Sequence, residues 1–162
     1  MAGVTIQSRF TPLIEYPALF IVIPPLLSLS GSLAGMLSAR VATKLHLGLV
    51  DPDRFVLGPV ADDVGLLYLI GIPIFLVLGL AADLLAAVFS LASPGAIELI
   101  ELLLMAGVIA TTLAALAGYI GAIVTYRLGW DPDNNGVPIV SSASDFLGAI
   151  ALMVSLAILG LS

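Results

Sequence analysis

Four stretches of this chain run almost without a charge: 16–39, 64–82, 102–126 and 146–162. A helix needs about 20 apolar residues to cross the hydrocarbon core of a bilayer. The first three runs meet this directly. The last has its start moved back to Pro138, because proline suits the first turn of a helix. The second extends past Asp83 toward Leu91, where Ser93-Pro94-Gly95 forms a natural stop. The pattern therefore predicts four membrane-crossing helices near 17–48, 64–91, 96–127 and 138–161, after a short lead-in over 1–15. No linker or change in composition divides the chain, so 1–162 is read as one all-α membrane domain.

Composition supports the same class. Of 162 residues, 60% are hydrophobic and 10% charged, and the mean hydropathy is +1.21. A soluble domain is roughly 45–50% apolar and about 25% charged. The net charge of −6 carries no message about nucleic acid, because the five Lys and Arg residues are scattered and form no basic stripe. The absence of cysteine excludes disulfides, thiolate metal sites and cysteine nucleophiles. Arg9 ahead of the apolar run has the layout of a signal peptide. That run, however, continues uncharged to Ala39 without cleavage-site chemistry, and is read as a membrane helix.

The few positive charges set an orientation. Arg40, Lys44 and Arg54 surround the first connection and Arg127 the third, so four of the five share one side. The positive-inside rule makes that side cytoplasmic. Asp51-Pro52-Asp53 and Asp131-Pro132-Asp133 then face the cytoplasm, and Glu98 and Glu101 lie near the opposite face. The segments LGLVDPD (47–53) and LGWDPD (128–133) echo each other. Each is followed by a proline and an aspartate, Asp62 or Asp63 in one case and Asp145 in the other.

Two helices carry small-residue stripes at steps of three and four, which is one helix face. In the first, Ser28, Ser32, Gly35, Ala39, Ala42 and His46 line up. In the third, Gly107, Thr111, Ala114, Gly118, Gly121 and Thr125 do the same. Small residues let helices approach closely in lipid, and the hydroxyls suggest that part of each face meets something polar. The length of the third helix's stripe predicts helix partners beyond the chain itself. In the last helix, Ser141, Ser142, Gly148 and Ala149 flank Asp145 at three and four residues. An aspartate near mid-membrane costs about 2.5 kcal/mol or more and faces a bundle interior or a wet cavity. No basic residue lies in that helix. Asp145 is therefore the prime candidate ligand for a cation.

Carboxylates, hydroxyls and an amide are hard oxygen ligands suited to Mg²⁺, Ca²⁺ or Mn²⁺. The candidate metal residues are Asp145 and Ser142, with Asp131, Asp133 and Asn134 gathering cations at the mouth. Ser28, Ser32, Gly35, Ser141 and Gly148 are candidate pore-lining positions. The DPDN segment has a second reading, as a turn built by Asp-Pro and Asn-Gly.

LGWDPDNNGVPIVSSASD resembles the loop and fifth helix of the MgtE family and of family 41 of the solute carriers, in which DPDN-x-x-x-P precedes a Ser/Thr pair and an aspartate. Asp131, Pro132, Asp133, Asn134, Pro138, Ser141, Ser142 and Asp145 carry the likeness. PPLLSLSGSLAGMLSARVATKLHLG (24–48) is similar to the family's second helix through Gly31, Leu37, Arg40 and Thr43. Ser32 stands where the family has Asn, which puts any role of that amide in question. The resemblance implies divalent-cation transport, magnesium above all, with Asp145 as the central pore ligand and Mg²⁺ as cargo rather than cofactor. It also implies a homodimer or a pair of homologous halves in the cell membrane. Relative to a five-helix unit, AGVTIQSRFTPLIEYPALF looks like the tail of helix one joined to helix two.

Two other function classes stay open on sequence. A membrane enzyme calls for a cluster of carboxylates with glycine and arginine, and no such cluster is visible. A lone His46 has no triad partner and suits the membrane interface. A non-transporting subunit that packs against a partner predicts that Asp145 matters for assembly and not for flux.

Overall fold

The computed structural model describes residues 16–56, 58–130 and 136–161. Four long helices cross: α1 (Ala18–His46), α2 (Ala61–Val88), α3 (Ala96–Arg127) and α4 (Val137–Ile158). A single 3₁₀ turn, Gly58–Val60, leads into α2. No strand occurs among the described residues. All four helices are long and apolar enough to span a bilayer. The fold is an all-α membrane bundle, as the apolar runs predict.

Each helix ends the same way. The N–H of Leu49 reaches back to the Lys44 carbonyl and that of Gly48 to Leu45. Trp130 and Gly129 bond Thr125 and Tyr126 in the same manner, as do Leu161 and Gly160 with Leu156 and Ala157. This double bond pattern needs a residue at positive φ just past the helix. Gly48, Gly129 and Gly160 supply it at φ of 71°, 67° and 69°. At the end of α2 the position falls to Ser90, at φ 52°. The echo between LGLVDPD and LGWDPD thus starts from a shared local need, since both glycines stop a helix.

The first DPD segment is a turn. Asp51 Oδ1 accepts the Asp53 N–H at 2.9 Å, and Arg127 at the end of α3 pairs with Asp53 at 3.2 Å. Tyr119 holds the same loop from α3, its hydroxyl 3.3 Å from both the N–H and the carbonyl of Val56. Phe55 stacks edge-on against the Tyr119 ring, 4.9 Å between centroids. These contacts bring the loop and the end of α3 to one face of the bundle.

α3 is the central helix and packs against the other three. Its stripe makes the close approaches. A methyl group on Gly118 would sit 2.6 Å from the carbonyl oxygen of Ala34 in α1. Gly107 lies beneath the Phe75 ring of α2, and Gly121 beneath Val140 of α4. The stripe is therefore covered by the chain's own helices. The expectation that it needs outside partners is not met, because the period of a stripe fixes a face and not what covers that face.

α2 is peripheral. Its buried residues Asp63, Leu67, Gly71, Phe75, Gly79, Ala82 and Ala86 fall every three or four positions on one side. Leu69, Val77, Leu84 and Val88 point away from the bundle, where hydrocarbon is the natural solvent. α2 begins three residues earlier than the apolar run predicts, and the cause is Asp63. Its side chain is 2% exposed and holds Arg40 Nε at 2.7 Å and Lys44 Nζ at 2.5 Å. Lys44 Nζ also donates to the Pro59 carbonyl at 2.6 Å. A carboxylate compensated by two cations can enter the bundle, and acidic residues suit a helix N-terminus.

Removing that charge leaves two cations facing each other. Breaking a buried ion pair costs about 3–5 kcal/mol. Arg40 is half exposed, so water screens part of the loss. Asp63→Asn should destabilise the bundle by about 1–3 kcal/mol. Thermal unfolding in a mild detergent is the check, and an unchanged midpoint would show that the cluster contributes nothing.

Candidate functional site

The middle of α1 and the N-terminal half of α4 line a groove of about 740 Å³. Pro24, Leu27, Ser28, Gly31, Ser32, Gly35 and Met36 form one wall, and Val137, Ser141 and Asp145 the other. The α4 wall is a row with spacing four, the direction in which helix side chains stack one above another. The groove is open along the chain's surface. Ser28, Ser32 and Asp145 are all exposed on it.

Gly31 is the contact point of the two walls. The Ser141 hydroxyl donates to the Gly31 carbonyl at 3.2 Å. A methyl group on Gly31 would stand 3.0 Å from Asp145 Oδ1 and 3.4 Å from the Ser141 carbonyl. Glycine therefore lets the carboxylate lie against the α1 backbone. At Gly35 a methyl would meet Val137 at 3.2 Å and Ser141 Oγ at 3.5 Å. Ser32 Oγ donates to the Ser28 carbonyl at 2.8 Å, so its lone pairs remain for a ligand or water. None of the ten lining residues is basic, and no salt bridge to Asp145 occurs among the described residues.

Of the predicted residues, Ser28, Ser32, Gly35, Ser141 and Asp145 come together here. Ser142 does not line the groove. It lies on the exposed side of α4 and donates to the Pro138 carbonyl at 2.9 Å. At 100° per residue it points about 100° away from Ser141. Gly148 is buried one turn deeper, where a methyl would meet Ser30 Oγ at 2.9 Å and Leu27 at 3.1 Å, so it serves the α1–α4 contact. Asp131, Asp133 and Asn134 fall outside the described residues. α3 contributes no lining residue, because its polar stripe is occupied by packing. Pro24, Leu27, Gly31, Met36 and Val137 are the members that residue type alone did not mark. Gly31 was visible only as a family-matching position.

No group of three or more His, Cys, Asp or Glu side chains converges among the described residues. The site offers one carboxylate, three hydroxyls and backbone carbonyls. His46 takes no part: its Nδ1 bonds the Ala42 carbonyl at 2.8 Å, and its ring meets Tyr126 edge-on at 5.2 Å.

The model of the MgtE family, described as divalent cation transporter, matches residues 23–155, which take in all of α2 and α3 and most of α1 and α4. The chain belongs to the MgtE family. It is a multi-pass membrane protein of a divalent-cation transporter family.

Proposed function

We propose that this chain builds one wall of a pathway for Mg²⁺ across the cell membrane, with Asp145 as its central ligand. The observation that carries the reading is the exposed Asp145 carboxylate on a groove without a basic residue. In hydrocarbon such a group costs about 2.5 kcal/mol or more. A bound cation and a second wall both remove that cost. The second wall is a second copy or a homologous half, which turns the same groove toward the first.

The ligand set favours a hydrated ion. Magnesium gives up its waters reluctantly and is held through one or two carboxylates. A water occupies about 30 Å³ in the liquid, so six need roughly 180 Å³. Two facing grooves leave room for such a shell, with Ser28, Ser32, Ser141 and the Gly31 carbonyl as acceptors for it. The DPDN residues Asp131, Asp133 and Asn134 concentrate cations at the cytoplasmic mouth.

The experiment is Mg²⁺ uptake into proteoliposomes, combined with cysteine chemistry that a cysteine-free chain makes simple. Ser32→Cys should crosslink between two chains in membranes where uptake is active. Crosslinks that appear only from the lipid-facing side of α2, as with Leu69→Cys, would place the partner elsewhere. Ser93→Cys should react with an impermeant label from outside and Asn135→Cys should not, and the reverse pattern would invert the orientation.

A further inference from the structure

A second cavity, of about 380 Å³, lies where the end of α1 meets the start of α2, away from the cation groove. Arg40, Thr43, Lys44, Leu47, Leu49 and Asp63 line it. The cluster holds two cations and one anion, a net charge of +1. Asp63 is fully engaged, one oxygen to Arg40 Nε and the other to Lys44 Nζ. Arg40 is not. Its side chain is 48% exposed and bonds Asp63 through Nε alone. Its two terminal nitrogens, four N–H donors in a planar fork, have no protein acceptor among the described residues. Beside this fork, Leu47 and Leu49 are 68% and 60% exposed. Asp62 is exposed next to Asp63 but does not line the cavity.

We propose that this cavity binds the phosphate of an anionic phospholipid, held by the free edge of Arg40 with Lys44 behind it, while Leu47 and Leu49 meet the acyl chains. A guanidinium fork matches paired phosphate oxygens. Basic pockets between membrane helices on the side rich in Lys and Arg are suited to anionic head groups. The leucines choose between the two sources of phosphate. A free anion satisfies the fork and leaves two large apolar side chains in water, whereas a lipid satisfies both.

The test uses the purified full chain in a neutral detergent, titrated with phosphatidylglycerol, phosphatidylcholine or inorganic phosphate, with bound lipid counted by native mass spectrometry. Phosphatidylglycerol should bind about tenfold more tightly than phosphatidylcholine, and inorganic phosphate should not displace it at matched concentration. Arg40→Gln should bring the two lipids level. Because that change also loosens Asp63, Leu49→Glu provides a variant that leaves the ion cluster intact and places a negative charge in the cavity. It too should erase the preference. Equal binding of the two lipids by the unaltered chain overturns the proposal. Full competition by inorganic phosphate assigns the site to a free anion and overturns the lipid. A preference that survives both substitutions places the lipid elsewhere on the protein.

Discussion

Asp145→Asn should leave a folded bundle that no longer takes up Mg²⁺ at low concentration. The substitution keeps the shape of the side chain against Gly31 and removes only the charge. A hydrogen bond or contact to a charged group is worth about 1.5–3 kcal/mol, so affinity should fall roughly tenfold to a hundredfold. Folding should hold or improve, because a carboxylate with no salt bridge among the described residues is a cost to the bundle while no ion is bound. Asp145→Glu keeps the charge on an arm one methylene longer and should retain part of the activity. Ser142→Ala should do least, since that hydroxyl faces away from the groove and already donates to Pro138. The measurements are uptake in proteoliposomes and calorimetric Mg²⁺ binding, with thermal unfolding as the control. Wild-type uptake by Asp145→Asn at low Mg²⁺ would remove the carboxylate from the pathway. Unchanged affinity with failed assembly would favour the non-transporting subunit.

Gly118→Ala should damage the protein through its backbone. The added methyl falls 2.6 Å from the Ala34 carbonyl oxygen, 3.2 Å from Leu37 and 3.3 Å from the Ser38 nitrogen. Two of the three atoms belong to the α1 main chain and cannot rotate away. The central helix and α1 must therefore separate, and overpacking of this kind costs about 1–3 kcal/mol. Since α1 carries the Ser28–Gly31–Ser32 wall, the same displacement should lower transport. Gly65→Ala is the matched control, because its added methyl would meet nothing within 4 Å beyond the local backbone of its own helix. Alanine there should be neutral or slightly stabilising in a helix. Equal unfolding midpoints for the two variants would show that the α1–α3 contact is looser than its geometry.

The four helices were legible because crossing a bilayer demands long uncharged runs, and no other force competes with that demand here. Their ends were less legible. Asp62 and Asp63 marked a boundary by charge, yet Asp63 lies inside α2 because α1 supplies two cations, and no pattern local to residues 60–65 announces them. Arg40 and Lys44 were legible as orientation signals and not as that carboxylate's partners. The groove was half legible. Spacing grouped Ser28, Ser32 and Gly35 on α1 and marked Asp145 on α4, but a helix period cannot say which neighbouring face closes on which. Ser142 was grouped with Ser141 because they stand three and four residues before Asp145, and the actual contact follows the spacing-four row Val137, Ser141, Asp145. Gly148 had the right face but sits where α1 already closes the space.

The central place of α3 also orders the making of the protein. When α1 and α2 have left the ribosome, the residues that join them best are Arg40, Lys44 and Asp63 at one end. The partners of Ala34 and Phe75, namely Gly118 and Gly107, are still unmade. A nascent chain at that stage holds a pinned hairpin, with Leu33 against Gly71, whose faces toward α3 have only lipid to touch. Insertion of α3 fills both at once, and α4 then seats over Gly121 and against Gly31. Assembly thus waits on the third span, and the groove between α1 and α4 takes shape only after it.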